Sequence, residues 1–269
     1  MTSRYLALCS WSLQPENPSE LLKKTFECDI HSIQLALVPC IENEAWQNAV
    51  TTLSEGGLTF ASGMFETIGE DYSSLDSIAR TGGVRPDETW PSTLERALKV
   101  AEFAGSMQLD LVTFHAGFLP EESCTERSKM LKRLEILGDV FGNHSVQIAL
   151  ETGQEHARNL DGILEELSHP MIGVNFDPAN MILYDKGDPV ESIQILSKWV
   201  KQVHIKDAIR SSVKGQWGTE VPVGKGEVDW NSFLAGVPEE ANFVIERESG
   251  DNRIEDIKRA KQMILRVIQ

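Results

Sequence analysis

The alternation of two kinds of segment constrains the fold of this chain more than any other feature of its sequence. Eight short apolar runs, bounded by turn residues, have the length and composition of buried strands. They are YLALCS (5–10), SIQLAL (32–37), LTFASGMF (58–65), LDLVTFHAG (109–117), VQIALETG (146–153), IGVNFDPAN (172–180), VKQVHIKD (200–207) and FVIERE (243–248). Helical periodicity follows each run or its loop, at 18–28, 43–54, 91–106, 122–141, 157–167, 189–199, 230–236 and 252–268.

Strands that alternate with helices pair in parallel through right-handed crossovers. Eight such units predict an α/β protein with a closed (β/α)8 barrel, the TIM barrel, and an open doubly wound sheet is the alternative. No linker-like run divides the chain, so we expect a single domain over residues 1–269. The segment 208–229 is expected to form a loop over the mouth of the barrel, and 66–90 is a second irregular stretch.

The position of the polar residues favours the closed barrel over the open sheet. In five successive units the apolar run ends in a titratable side chain, and these are His115, Glu151, Asp177, His204 and Glu246. The carboxyl ends of barrel strands converge on one mouth. In an open sheet the ligand site is a single crevice where the strand order reverses, so five such ends would not meet.

The composition excludes several classes of partner. The formal net charge of −16 disfavours nucleic acid, because binding phosphates requires clustered Lys and Arg. No apolar run approaches the roughly 20 residues that span a bilayer, and the first residues do not resemble a signal peptide. The four cysteines at 9, 28, 40 and 124 are scattered, as expected for free thiols in a reducing compartment. We therefore expect a cytoplasmic protein that binds neither nucleic acid nor a membrane.

Four of the strand-end residues form a set suited to a divalent metal ion. Glu151, Asp177, His204 and Glu246 supply three carboxylates and one imidazole, which suit Mn²⁺ best, with Mg²⁺, Co²⁺ or Zn²⁺ also possible. Three carboxylates brought together without a cation would repel one another and destabilise the fold. A cap or an isolated ion pair would explain any one of these residues alone, but the joint pattern predicts a metal site.

The sequence resembles the xylose isomerase-like (β/α)8 barrels. The residues that carry the resemblance are HAG (115–117), ALETG (149–153), NFDPANMILY (175–184), VHIKDA (203–208), VPVGKGEVDW (221–230) and VIERESGD (244–251). That superfamily includes sugar and sugar-phosphate isomerases and epimerases and the endonuclease IV enzymes. In its metal-ligand pattern the chain is most similar to the ketose 3-epimerases and hydroxypyruvate isomerase.

The resemblance implies a role for each candidate residue. A single metal ion would be held by Glu151, Asp177, His204 and Glu246, and the two glutamates would act as an acid/base pair on a small sugar, sugar phosphate or keto-sugar. The reaction would pass through a cis-enediolate, which a Lewis acid and a positioned base both favour. The candidate substrate-binding residues are His115, Asn180, Arg210 and Lys206. Lys206 could instead pair with Asp207 at the barrel rim, and Arg210 could be a surface residue.

Two positions depart from the epimerase pattern. Asn180 stands where the epimerases carry the His of an Asp-x-x-His motif, and an amide cannot titrate near neutral pH. Ala157 stands where they carry a second Glu, six residues after the first metal ligand. Glu155 is a possible substitute, or it is a residue of the helix start.

Three other functions compete with isomerisation. A metal-dependent lyase or dehydratase would use the same site. An endonuclease IV-like enzyme would need three metals and further ligands, which Asn180 and the VPVGKG segment (221–226) do not supply. A barrel that only binds a small molecule would be favoured if one of the four metal-ligating residues were missing.

The glycines around Lys225 in GKGE (224–227) could bind a substrate phosphate, or they could only shape a turn. A homodimer or homotetramer is possible by resemblance.

Overall fold

The computed structural model describes residues 6–267, and within them ten strands are present. The strands are β1 (Leu6–Cys9), β2 (Ser32–Ala36), β3 (Thr59–Met64), β4 (Leu111–Phe114), β5 (Gln147–Glu151), β6 (Ile172–Phe176), β7 (Val200–Ile205), β8 (Asp207–Ile209), β9 (Thr219–Val221) and β10 (Asn242–Ile245). All except β8 and β9 form a closed parallel barrel in which neighbours follow chain order and β10 pairs with β1. The predicted (β/α)8 barrel is therefore confirmed, and the open sheet is excluded.

Helices connect the barrel strands on the outside. They are α1 (Pro18–Glu27), α2 (Leu37–Glu42), α3 (Ala49–Glu55), α4 (Leu75–Thr81), α5 (Trp90–Ser106), α6 (Thr125–Gly142), α7 (Ala157–Leu167), α8 (Pro178–Leu183), α9 (Pro189–Leu196), α10 (Trp230–Ala235) and α11 (Arg253–Val267). Short 3-10 turns lie at Ser10–Leu13, Glu44–Trp46 and Ser197–Trp199. The side chains of Asn17 and Asp188 cap α1 and α9 before an N1 proline.

The structure corrects the sequence-based predictions at four places. The predicted helix 43–54 consists of a 3-10 turn at Glu44–Trp46 and the shorter helix α3, and a further helix, α2, begins directly after β2. The predicted strand 172–180 ends at Phe176, since Asp177 caps α8 and Pro178 begins it. The two irregular stretches also contain regular structure: α4 lies within 66–90, and β8 and β9 form an antiparallel hairpin at 207–221.

Polar side chains occupy part of the barrel interior. Gln34 donates to Thr113 Oγ1 at 2.7 Å, and Ser62 donates to Gln202 Oε1 at 2.7 Å. Gln202 in turn donates to Asn175 Oδ1 at 3.2 Å, and all five side chains are buried. Buried polar groups of this kind are stable only when they are hydrogen-bonded to one another. The main apolar core lies elsewhere and includes side chains of both the strands and the surrounding helices.

Within residues 6–267, none of the helices combines the length and the apolar character that crossing a lipid bilayer requires.

Candidate active site

The four predicted metal ligands lie together at the C-terminal ends of four barrel strands. Glu151 is the last residue of β5, His204 lies in β7, and Asp177 and Glu246 directly follow β6 and β10. All four side chains are buried, and one ligand atom from each lies within 4.8 Å of the others. The strand ends place these side chains, because parallel barrel strands deliver their carboxyl ends to one mouth.

The arrangement fits a divalent cation. Oxygen ligands bind Mg²⁺ or Ca²⁺ at about 2.0 to 2.6 Å, so ligands on opposite sides of one ion are about 4 to 5 Å apart. The oxygen Asp177 Oδ2 is buried and has no hydrogen-bond partner, although Asp177 Oδ1 accepts the amide of Asn180 at 2.9 Å. An orphaned carboxylate oxygen beside two further carboxylates is costly unless a cation completes it.

The ring of His204 presents one nitrogen to the carboxylates and the other to the barrel interior. His204 Nδ1 lies 3.3 Å from Glu246 Oε2, 3.6 Å from Glu151 Oε1 and 3.8 Å from Asp177 Oδ2. His204 Nε2 lies 2.9 Å from Gln34 Oε1. Gln34 donates its amide to the carbonyl oxygen of Gly63, which can only accept, so its own oxygen must face His204. A protonated His204 Nε2 can donate to this oxygen, although the Nδ2 amide of Asn175 also lies 3.1 Å from Nε2. Nδ1 is the nitrogen that faces the carboxylates and is available to a metal.

Lys206 extends into the same cluster. Its ammonium lies 2.8 Å from Glu246 Oε2, 2.5 Å from Glu248 Oε2 and 3.7 Å from Asp177 Oδ2. Burial acts to raise the pKa of Glu246, but the charges of Lys206 and His204 outweigh it and hold this pKa well below its usual range. Glu246 is thus an ionised carboxylate with a fixed orientation, since Trp11 also donates to its Oε1 at 2.7 Å.

An open cavity of about 620 Å³ lies above these ligands. Glu151, Glu246 and Lys206 contribute to its lining, together with four aromatic side chains, Trp11, Tyr72, Tyr184 and Trp217. Such a volume and lining are those of a small-molecule site. The predicted loop 208–229 contributes Trp217, Gly218 and Glu220 to the wall, in agreement with a loop at the mouth.

The candidate substrate-binding residues separate into two groups. Asn180 donates to Glu151 Oε1 at 2.9 Å, and His115 Nε2 lies 3.7 Å from the same oxygen. Both residues and Lys206 line the cavity. Arg210 is not among the lining residues, because its guanidinium pairs with Asp185 and donates to the carbonyl of Gly187. The substrate contact expected of Arg210 therefore has no counterpart in this geometry and stays a prediction.

Asp207 has a different role from the one considered for it. It does not pair with Lys206; its carboxylate accepts hydrogen bonds from the backbone amides of Gly224, Gly226 and Val228 at 2.8, 3.1 and 3.3 Å. The indole of Trp230 donates to it as well, at 3.1 Å. A Cβ at Gly226 would lie 2.1 Å from Asp207 Oδ1, so glycine is required there. The GKGE glycines thus shape a turn around an internal carboxylate.

Several cavity residues carried no sequence prediction. Trp11 lies two residues after β1, so the rule that barrel strand ends face the mouth could have found it. Tyr72 comes from the irregular stretch 66–90, where no periodicity indicates its direction. Glu155, considered as a substitute for a missing glutamate, is buried just before α7 and is not among the lining residues.

Comparisons with known proteins agree with this architecture. Residues 37–266 match the family model described as xylose isomerase-like TIM barrel. The crystal structure of a xylose isomerase domain protein from Planctomyces limnophilus superposes with a TM-score of 0.86 at 26% identity, covering 99% of this chain and 98% of that one. A curated 3-dehydroshikimate dehydratase from Bacillus anthracis is 24% identical over 195 residues, 64% of this chain and 68% of the relative.

A third likeness concerns the fold alone. The D-allulose 3-epimerase of Methylomonas sp. has a TM-score of 0.72 at 13% identity, with 98% of each chain covered. The proteins that this chain resembles thus include an epimerase, by fold alone, and a dehydratase. The match over most of the chain, together with the closed barrel, shows that this protein belongs to the xylose isomerase-like TIM barrel family.

Proposed function

We propose that the protein is a divalent-metal-dependent isomerase or epimerase of a small sugar or keto-sugar. The observation that carries the proposal is the buried cluster of Glu151, Asp177, His204 and Glu246 beneath an open cavity. These four side chains would hold one ion. When bound, the ion would polarise a substrate carbonyl and stabilise the negative charge that develops on its oxygen. Mn²⁺ is our first choice, because the donor set has three carboxylates and one imidazole.

Glu151 and Glu246 are the proposed acid/base pair. Both line the cavity, and each is oriented by neutral or cationic donors: Asn180 for Glu151, and Trp11 and Lys206 for Glu246. A carboxylate kept ionised by a neighbouring ammonium can take a proton from the carbon beside a carbonyl. The second carboxyl group would return a proton to the resulting cis-enediolate of the substrate. Return of the proton to the neighbouring carbon gives isomerisation, and return to the original carbon from the opposite face gives epimerisation.

The test combines metal content with isotope exchange. We expect about one Mn, Mg, Co or Zn per chain by mass spectrometry, and weaker retention in Glu151→Gln and Asp177→Asn. The exposed Glu55→Gln at the C-terminal end of α3 is the matched control and should retain the metal. Wild-type protein in D₂O should introduce deuterium next to the carbonyl of a keto-sugar, and Glu246→Gln should not. Absence of metal after loading, or exchange that survives in Glu246→Gln, would refute the proposal.

A dehydratase is the second candidate, favoured by the 24% identical relative named for that activity. Elimination would begin with the same proton abstraction and then lose a hydroxyl group. Proton exchange without loss of water supports the isomerase, whereas a conjugated product absorbing in the ultraviolet supports the dehydratase.

A three-metal nuclease is less well supported by the ligand sets. Within residues 6–267 the two candidate sets are the four ligands above and a second set of Cys9, His204 and Glu246. Because they share His204 and Glu246, they describe one ion site and not three. Nearly three zinc ions per chain in the metal analysis would contradict this interpretation.

A further inference from the structure

The charges that line the cavity are predominantly negative. Six carboxylates contribute to its wall, namely Glu66, Glu70, Glu151, Glu220, Glu246 and Glu248. The permanently cationic side chains of the lining are Lys206 and Arg253, and His115 adds one positive charge when it is protonated. With a divalent ion added, and with buried Asp177 beneath the wall, the site still has more negative than positive charge. An anionic ligand would therefore enter against an unfavourable potential.

Both permanently cationic side chains of the lining already bind oxygen atoms of the protein. The ammonium of Lys206 is bound to Glu246 and Glu248, at 2.8 and 2.5 Å. The guanidinium of Arg253 donates to the backbone carbonyls of Ser12, Glu248 and Gly250. A ligand phosphate or carboxylate that displaced Lys206 would leave buried Glu246 without its cation.

The backbone amides most suited to a phosphate are also occupied. Loops near the last two strands of such barrels commonly bind phosphate through backbone amides. Here the amides of Gly224, Gly226 and Val228 converge on the carboxylate of Asp207, which is fully buried. These three amides therefore bind the chain's own anion, Asp207, and neither Asp207 nor the residues that donate them line the cavity.

The remaining lining suits an uncharged ligand. Trp11, Tyr72, Tyr184 and Trp217 offer aromatic surface, and the carboxylates can accept hydrogen bonds from hydroxyl groups. We propose that the cavity selects an uncharged polyhydroxy ketone or aldehyde and rejects its phosphorylated or carboxylated counterpart. This inference rests on the proposed function, because it names the substrate class of the same site. It also disfavours a dehydroshikimate, which carries a carboxylate.

The inference is tested with matched pairs of probes on metal-loaded protein. The pairs are D-fructose and fructose 6-phosphate, D-xylulose and xylulose 5-phosphate, and dihydroxyacetone and hydroxypyruvate. Calorimetry at low ionic strength should give dissociation constants at least about tenfold lower for the uncharged member of each pair, a preference that salt should weaken. Equal or tighter binding of the charged members would overturn the inference. So would failure of every uncharged member to bind at tens of millimolar.

Variants of the wall identify the cause of the preference. Glu66 lines the cavity and is exposed, and its carboxylate has no hydrogen bond or ion pair within residues 6–267, so Glu66→Gln and Glu66→Lys change the charge with little loss of structure. The ratio of dissociation constants should fall about threefold in the first variant and about tenfold in the second, following the Coulomb term. Glu55→Lys changes the same charge at the opposite end of the barrel, because α3 runs back from the mouth, and should leave the ratio unaltered. A ratio unchanged in both Glu66 variants would contradict the electrostatic origin.

Isotope exchange separates the two proposals. Exchange into charged probes alone would overturn the substrate class and leave the isomerase intact. Selective binding of uncharged probes without exchange into any of them would support the substrate class and refute the isomerase.

Discussion

Glu155 provides a quantitative test of how burial controls charge next to the site. Its side chain is 6% exposed, and Oε2 has no hydrogen-bond partner. Burial raises the pKa of this carboxyl to about 8, although the charges of Lys186 and His115 act in the opposite direction. Because the folded protein then holds the proton more tightly than the unfolded chain, the associated stability is complete below about pH 4.5. It is lost as the pH rises from there to about 8.

The expected size of the effect follows from the pKa difference. Each pKa unit corresponds to about 1.4 kcal/mol, so the total loss is roughly 5 kcal/mol, of which about 3 kcal/mol falls between about pH 5.5 and 8.5. Glu155→Gln keeps the shape and removes the titration. Urea unfolding followed by tryptophan fluorescence should therefore show the variant gaining about 3 kcal/mol relative to wild type between those two pH values.

Glu55→Gln is the control, because it removes one negative charge from an exposed position. Its effect on the unfolding free energy measures the contribution of the charge change alone. The reasoning would be refuted if the difference in unfolding free energy between wild type and Glu155→Gln were the same at both pH values. In that case the charges of Lys186 and His115 would offset the burial of Glu155.

Three further predictions concern the supporting structure. Gln34→Leu removes the acceptor that orients His204, so the affinity for the metal should fall about 10- to 100-fold, measured by competition with a fluorescent chelator. Unchanged affinity would show that the carboxylates alone position the ring. Gly226→Ala should lower the free energy of unfolding in urea by several kcal/mol, because its Cβ would meet Asp207. Gly162→Ala adds a Cβ with no atom within 4 Å and should raise the same free energy by about 0.5 to 1 kcal/mol. A thiol reagent should modify exposed Cys124 quickly and the three buried cysteines only after denaturation; rapid reaction of more than one thiol would contradict the observed burial.

The strand positions, and the meeting of the candidate metal ligands, could be predicted from the sequence for a physical reason. A barrel strand buried on both sides appears as a short apolar run, and a titratable residue at its end is conspicuous because little else there is polar. Glu151 and Asp177 were found in this way, and the barrel then required them to meet. The same reasoning would have extended to Trp11.

Features that depend on tertiary contacts could not be predicted. The sequence Asp-Pro at 177–178 is a helix-start signal, but the apolar run before it concealed the start of α8. The position of Arg210, six residues after His204, suggested a substrate contact, yet the Arg210 guanidinium pairs with Asp185, which follows α8. Similarly, Gln34 appears in the sequence only as one polar residue within an apolar strand, and its contact with His204 exists only in the closed barrel.

The two carboxylate oxygens of Asp177 have different surroundings. Oδ1 caps α8, and Oδ2 faces the other candidate metal ligands without a hydrogen-bond partner. An Asn at this position would keep an acceptor for the cap and lose the negative charge. We therefore expect a relative with Asn here to be a pseudoenzyme: a correctly folded barrel whose loss of catalysis can be recognised from a single position of its sequence.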